Sequence, residues 1–175
     1  MKRKKSILKI TFCALFAALI AVCTLISIPM PSGVPITLQT FAVALCGFLL
    51  PMPYAAASVA AYLGMGALGA PVFSGFRAGL SVLVSATGGF LIGFIPMSII
   101  CAIPAKGWKR LAFGCIGVLA CHIAGFLWYA LVCKTGIFAS FLAVSLPYLP
   151  KDFLSVALAY LISLKLRGIF SKFYC

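Results

Sequence analysis

Apolar residues in this chain come in long unbroken runs, with neither the alternation of strands nor a polar helical face. Six runs are bounded by prolines, glycines or charges: Ile10 to Ile28, Ile36 to Leu50, Tyr54 to Leu68, Leu80 to Ile103, Leu111 to Val132, and Tyr148 to Leu164. A helix that is apolar all round must meet lipid or other helices on every side. In a bilayer only helices and closed barrels satisfy every backbone polar group, and the alternation a barrel needs is missing. The pattern predicts an all-α integral membrane protein, a single domain over 1–175 built as a six-transmembrane-helix bundle. The runs at 36–50, 54–68 and 148–164 are short for a crossing, and the one at 80–103 is interrupted by Gly88, Gly89, Gly93 and Pro96. Short or broken segments in a compact bundle point to a cavity within the membrane.

Composition agrees. With 175 residues of which 65% are hydrophobic and 9% charged, there is more apolar surface than a soluble globule of this size can bury. The net charge of +13 would suggest a nucleic-acid partner in a soluble protein. Here the cations stand at the ends of the runs without interleaved aromatics, so they read as topology signals and lipid contacts, and nucleic-acid binding is excluded. Six crossings put both termini on one side, together with Lys2, Arg3, Lys4, Lys5, Lys9, Lys106, Lys109, Arg110, Lys165, Arg167 and Lys172. Only Arg77, Lys134 and Lys151 fall on the other side. The asymmetry makes the 1–9 and 165–175 segments cytoplasmic. Val22 before Cys23 is a poor fit to a lipoprotein cleavage site, so the first run is read as a retained span. The eight cysteines form no CxxC pair, and read as small packing residues rather than disulfides or metal ligands.

The chemistry is concentrated in few residues. Asp152 is the sole acidic side chain, and it stands beside Lys151. Between it and Lys165 lie only Phe153 to Leu164, roughly 18 Å of helix against a hydrocarbon core of about 30 Å, so the carboxylate is held part-way into the membrane. A charge at that depth marks a functional site. The non-periodic stretch PVFSGFRAG at 71–79, with Arg77, has the form of a lid loop. Thr37, Gln39 and Thr40 open the second run, and a helix starting near Pro35 would set both threonines on one face. No nucleotide-binding GxxxxGKS/T motif is present, and one carboxylate cannot form an acid/base pair or a carboxylate-rich metal site. His122, beside Cys121, is expected as a buried neutral histidine bonded to a neighbouring helix, since it would meet Asp152 only by coincidence of packing. What remains is a recognition set: Arg77 and Lys151 as cations, Asp152 as acceptor, Thr37, Gln39 and Thr87 as neutral polar groups. It suits a small solute with N–H donors and an anionic tail. Phe41, Tyr62, Phe73, Phe76, Phe90 and Tyr148 could line its apolar middle.

Four segments resemble, in order, the BioY family of biotin-specific substrate-binding (S) components of energy-coupling factor (ECF) transporters. They are VPITLQTFAVALCGFLLP at 34–51, YLGMGALGAPVFSGFRAGLSVL at 62–83, TGGFLIGF at 87–94 and LPKDFLSVALA at 149–159. The resemblance implies a six-helix S component in the bacterial cell membrane with cytoplasmic termini, binding biotin from outside. It also implies a transmembrane coupling subunit and two ATPase subunits as partners, and neither enzymatic activity nor a cofactor. Asp152 would then accept the ureido N–H groups, and Arg77 and Lys151 would neutralise the valerate carboxylate. Gln39, Thr37, Thr87 and Tyr62 would add contacts, and Gly88 with Gly89 would let a helix approach the ligand. Ala14, Ala17, Ala18 and Ala21 match the small-xxx-small pattern by which the first helix would meet the coupling subunit. Two positions depart from the family pattern: Lys151 replaces the glycine before the aspartate and Ser155 takes the place of a lysine, while Ser85, Ala86 and Phe90 vary a second motif. An S component for another small vitamin or precursor is therefore the first rival. A membrane enzyme using His122 and Cys121, or a small channel, is more distant.

Overall fold

Helix α1 (Lys2–Leu25) contains neither glycine nor proline, so nothing interrupts its hydrogen-bond ladder. The computed structural model describes the backbone of residues 2–174 and the side chains of residues 7–168 and 170. The side chains of Lys2, Arg3, Lys4, Lys5 and Lys172, which carry part of the charge asymmetry, lie outside the described residues.

The first run was expected to stay helical to Ile28, but α1 stops at Leu25. Ser27–Ile28 (β1) instead pairs antiparallel with Ile36–Thr37 (β2), in the register Ser27 to Thr37 and Ile28 to Ile36. Pro29, Pro31 and Pro35 explain the change, because proline lacks an N–H and drives the residue before it out of the helical region. Helix α2 (Gln39–Leu49) consequently begins at Gln39, so Thr37 and Thr40 do not share a helix face. Leu50, extended before Pro51, separates α2 from α3 (Met52–Ala67), which carries Pro53 in its first turn.

The fourth run divides into a single turn, α4 (Leu80–Leu83), and α5 (Gly88–Cys101), which continues across Pro96. Helix α6 (Trp108–Cys133) closes on Lys134 in a left-handed conformation, φ 53°. A short helix absent from the sequence reading, α7 (Ile137–Val144), then precedes α8 (Leu149–Tyr174). Helix α8 runs on past Lys165 through the segment expected as a C-terminal tail.

Membrane-crossing length is less uniform than six equal spans. Ile7–Leu25 and Trp108–Cys133 are long and apolar enough to cross, and α7 with α8, bent by 54°, makes a third. Helix α2, with 11 residues, rises about 16 Å, roughly half the hydrocarbon thickness. The elements are held by close contact. On α5 a Cβ at Gly93 would lie 3.1 Å from the Cys121 backbone of α6, so the two helices touch main chain to main chain. Phe16, Ile20, Val43, Phe48, Val59, Tyr62, Met97 and Val156 fill the shared core.

Candidate functional site

Pro150 in the first turn of α8 suits a helix start, and it sets Lys151 and Asp152 at the positive end of the helix dipole. Asp152 is 6% exposed, buried between helices. Its Oδ2 lies 3.0 Å from His122 Nε2 of α6, and its Oδ1 is ion-paired with Lys151 Nζ. An ionised carboxylate only accepts, so in this pair Nε2 carries the imidazole proton. Lys151 Nζ also donates to the Thr37 carbonyl, 2.9 Å, which ties β2 to α8. The buried negative charge thus has two partners, as a desolvated carboxylate requires. Ser155, at the position where a lysine was expected, donates to the Lys151 carbonyl of its own helix, 2.9 Å.

These groups form one wall of a cavity with an empty volume of about 550 Å³, mouth included. Gln39, Thr40 and Thr24 supply further polar lining, with Thr37 and Thr87 on the rim of the set. Phe73, Phe90, Phe94, Leu91 and Val82 supply the apolar part. Such a mix of apolar wall and few convergent polar groups fits a small organic ligand. Three buried polar atoms of this region have no hydrogen-bond partner among the described residues: Gln39 Nε2, His122 Nδ1 and Asp152 Oδ1, the last held by its ion pair with Lys151. Thr24 Oγ1 and Thr87 Oγ1 are engaged locally, with the Ile20 carbonyl at 2.7 Å and Ser85 Oγ at 3.0 Å.

The roof is made by the outer loops. Phe73, 1% exposed, packs edge-on to Tyr62 at 5.6 Å between centroids, and its N–H donates to the Arg77 carbonyl, 3.1 Å. Its ring also occupies the space beside Gly66 where a Cβ would stand. Gly75 and Phe76 both have positive φ, 70° and 57°, and the turn they make exposes Phe76. The 29–35 loop is pinned by α6 and by the turn before α8: Tyr129 Oη donates to the Ser32 carbonyl, 3.2 Å, and Tyr148 Oη to the Val34 carbonyl.

The structure therefore brings Thr37, Gln39, Thr87, Lys151 and Asp152 together around one cavity, with Phe73, Phe90 and Tyr148. Arg77 is not in it. Its guanidinium bonds the Ser74 carbonyl at 3.2 Å, and it lines an adjoining hollow that shares Ser74 and Pro35 with the cavity. Tyr62 is a second-row support, with its hydroxyl donating to the Val72 carbonyl at 3.4 Å. The expectation for Gly88 and Gly89 is corrected. A Cβ at Gly88 would run into the Leu83 carbonyl and one at Gly89 into Trp128 and the Ala124 carbonyl of α6, so both are small for helix packing, and Trp128 Nε1 donates to the Ser85 carbonyl at 3.0 Å. The alanine stripe of α1 also splits, since Ala17 and Ala21 are buried within the chain while Ala14 and Ala18 face outward.

His122 was expected to stand apart from Asp152, and the structure joins them. The signal was available, because the only acid and the only histidine of an apolar bundle have few other groups that could satisfy them. Cys121 turns elsewhere, with its thiol on the Phe90 carbonyl at 3.5 Å, so no Cys/His pair is formed. No group of three or more potential metal ligands occurs among the described residues.

Three comparisons bear on this geometry. The model of the BioY family matches residues 1–172. The probable biotin transporter BioY of Pyrococcus horikoshii is 34% identical over 160 residues, spanning 91% of this chain and 96% of that protein. The biotin transporter BioY of Thermotoga maritima is 37% identical over 165 residues, 89% and 93% of the two chains. A crystal structure of the S-component for biotin from an ECF-type ABC transporter superposes with TM-score 0.88 at 24% identity, covering 96% of this chain and 95% of that one.

Proposed function

Since the chain belongs to the BioY family, we propose that it is the substrate-binding membrane subunit of an ECF-type importer and that its ligand is biotin. The observation that carries the ligand is the cavity. A buried carboxylate and an unpartnered amide N–H face the same space, which is the complement of a cyclic urea. Asp152 accepts the ureido N–H groups, and Gln39 Nε2 donates to the ureido oxygen. The fused rings lie along Phe90, Phe94 and Phe73. His122 and Lys151 hold Asp152 in place, and the valerate chain runs toward the mouth, where Arg77 meets its carboxylate across Ser74.

The chain is a transport subunit rather than an enzyme, embedded in the cell membrane by six membrane-inserted segments of unequal length. Both termini are cytoplasmic, on the side of Lys106, Lys109 and Arg110, and biotin enters beneath the 29–35 and 71–79 loops on the other. Transport requires a transmembrane coupling subunit, which meets the outward-facing Ala14 and Ala18 of α1, and two ATPase subunits.

Calorimetry on the purified chain tests the ligand, with biotin expected to bind in the nanomolar range, about −12 kcal/mol. Biotin methyl ester, without the anionic tail, should bind more weakly. Absence of saturable biotin binding below roughly 10 μM, alongside tight binding of another vitamin, transfers the site to the rival ligand.

A further inference from the structure

At the end of the bundle opposite Asp152 a second, wider hollow, of about 1130 Å³ on the same measure with its open mouth included, lies among α2, α5, α6 and α8. It is lined by Phe48, Ile103 and Phe170 and by two arginines, Arg110 and Arg167. Arg110 is 6% exposed, and its Nε and Nη1 have no hydrogen-bond partner among the described residues. Its guanidinium lies over the Phe48 ring, 5.4 Å from the centroid, which is a weak substitute for an anion. A buried unpaired guanidinium is unfavourable, and no acidic side chain of this sequence is placed to neutralise it. Its single acidic side chain, Asp152, is 15 positions before Arg167 on the same helix, about 22 Å away along the axis, and is committed to His122 and Lys151.

We propose that this hollow is a binding site for an anionic phospholipid, whose phosphate takes the two arginines and whose acyl chains lie against Phe48, Ile103 and Phe170. The planar guanidinium of Arg110 suits bidentate contact with a phosphate, and Arg167, exposed at the rim, adds a second charge. The depth agrees. Trp108, 74% exposed, and Lys109 stand at the start of α6 beside Arg110, the residue types that sit at head-group level. The apolar lining beside the two arginines offers nothing to a lone carboxylate or a free phosphate, and suits an amphiphile. Basic pockets between helices on this side of a membrane hold lipid head groups in the same way.

Native mass spectrometry of the detergent-purified full chain tests the site with dioleoyl phosphatidylglycerol, dioleoyl phosphatidylcholine and inorganic phosphate as separate probes. One phosphatidylglycerol should be retained by the unmodified chain, with little phosphatidylcholine and no phosphate adduct. Arg167→Gln, at an exposed position, should weaken retention about fivefold, and Arg110→Gln at least as much. Circular dichroism and monodispersity on size exclusion show that each variant is folded. Should Arg110→Gln fail to fold, Arg167→Gln alone decides the matter. Equal retention of the two lipids, or phosphatidylglycerol retention unchanged in folded Arg167→Gln, overturns the proposal. So does protection by phosphate alone, which would make the ligand a soluble anion. Loss of coupling-subunit co-purification in the arginine variants with lipid retention intact would instead assign the arginines to an acidic protein partner, and also overturns it.

Discussion

His122 Nε2 stands 3.0 Å from Asp152 Oδ2, so the only histidine and the only acidic side chain of the sequence form one buried pair between α6 and α8. The pair fixes the direction of the carboxylate. With Lys151 on the other oxygen, Asp152 has little freedom to rotate, and an acceptor held in this way contributes both affinity and orientation.

Asp152→Asn should weaken biotin binding by about 2 to 4 kcal/mol, since a charge-assisted acceptor is lost while Lys151 is left without its counter-charge. Folding should suffer less, because Asn is also tolerated near a helix start. Calorimetry on the variant and on Lys151→Met/Asp152→Asn separates the ligand contact from the ion pair. Unchanged biotin affinity in Asp152→Asn would remove this residue from the site.

Replacing His122 by Ala removes the orienting partner but leaves the carboxylate and Lys151 in place. Binding should fall by about 1 to 2 kcal/mol, less than for Asp152→Asn. The double variant should be no weaker than Asp152→Asn alone if the histidine acts through the aspartate, which a double-mutant cycle measures directly. Additive losses would mean that His122 touches the ligand by itself.

Gly66→Ala should disturb the roof of the cavity from behind. The added Cβ would enter the Phe73 ring, and overpacking of this kind costs about 1 to 3 kcal/mol. Thermal unfolding should shift down and biotin affinity should fall. Phe73→Ala removes the clash but leaves a cavity that itself costs about 3 to 5 kcal/mol, so the double variant should lose less stability than the sum of the two single changes, without recovering affinity. A Gly66→Ala chain with unaltered stability and affinity would show that the roof yields without consequence.

Much of the site could be read from the chain, and the reason is scarcity. In a sequence this apolar, Gln39, Thr87, Lys151 and Asp152 stand out because a polar group in a bilayer needs a partner or a ligand. The turn chemistry was less legible. Pro29, Pro31 and Pro35 were visible, yet the strand pair they favour rests on a long-range contact between residues 28 and 36. For Gly89 the residue type was informative but the partner was not, since nothing local to the sequence indicates that Trp128 arrives there. The break near residue 84 and the short helix at 137–144 were also hidden, because continuous hydrophobicity gives no phase by which to see where an element bends or begins. Arg77 has the right charge and loop, but its distance from the cavity depends on how that loop folds back on Ser74.

On the outer face of α1, Trp at Ala18 should leave biotin binding to the isolated subunit intact while abolishing co-purification with the coupling subunit and ATP-driven uptake. Ala18 faces outward, and a bulky side chain there blocks close helix approach. Trp at Ala17, 2% exposed, should instead destabilise the subunit itself, which a thermal melt reports. If uptake survives Ala18→Trp, the partner surface lies elsewhere.

The ring of Phe73 is almost entirely enclosed, wedged against Tyr62 and the Gly66 backbone, in the wall of the cavity. If biotin is held beneath it, movement of the 71–79 loop would bear on the escape rate alongside the contacts around Asp152. Affinity of this origin resides largely in a long residence time. A captured molecule would then stay bound through the wait for an encounter with the coupling machinery.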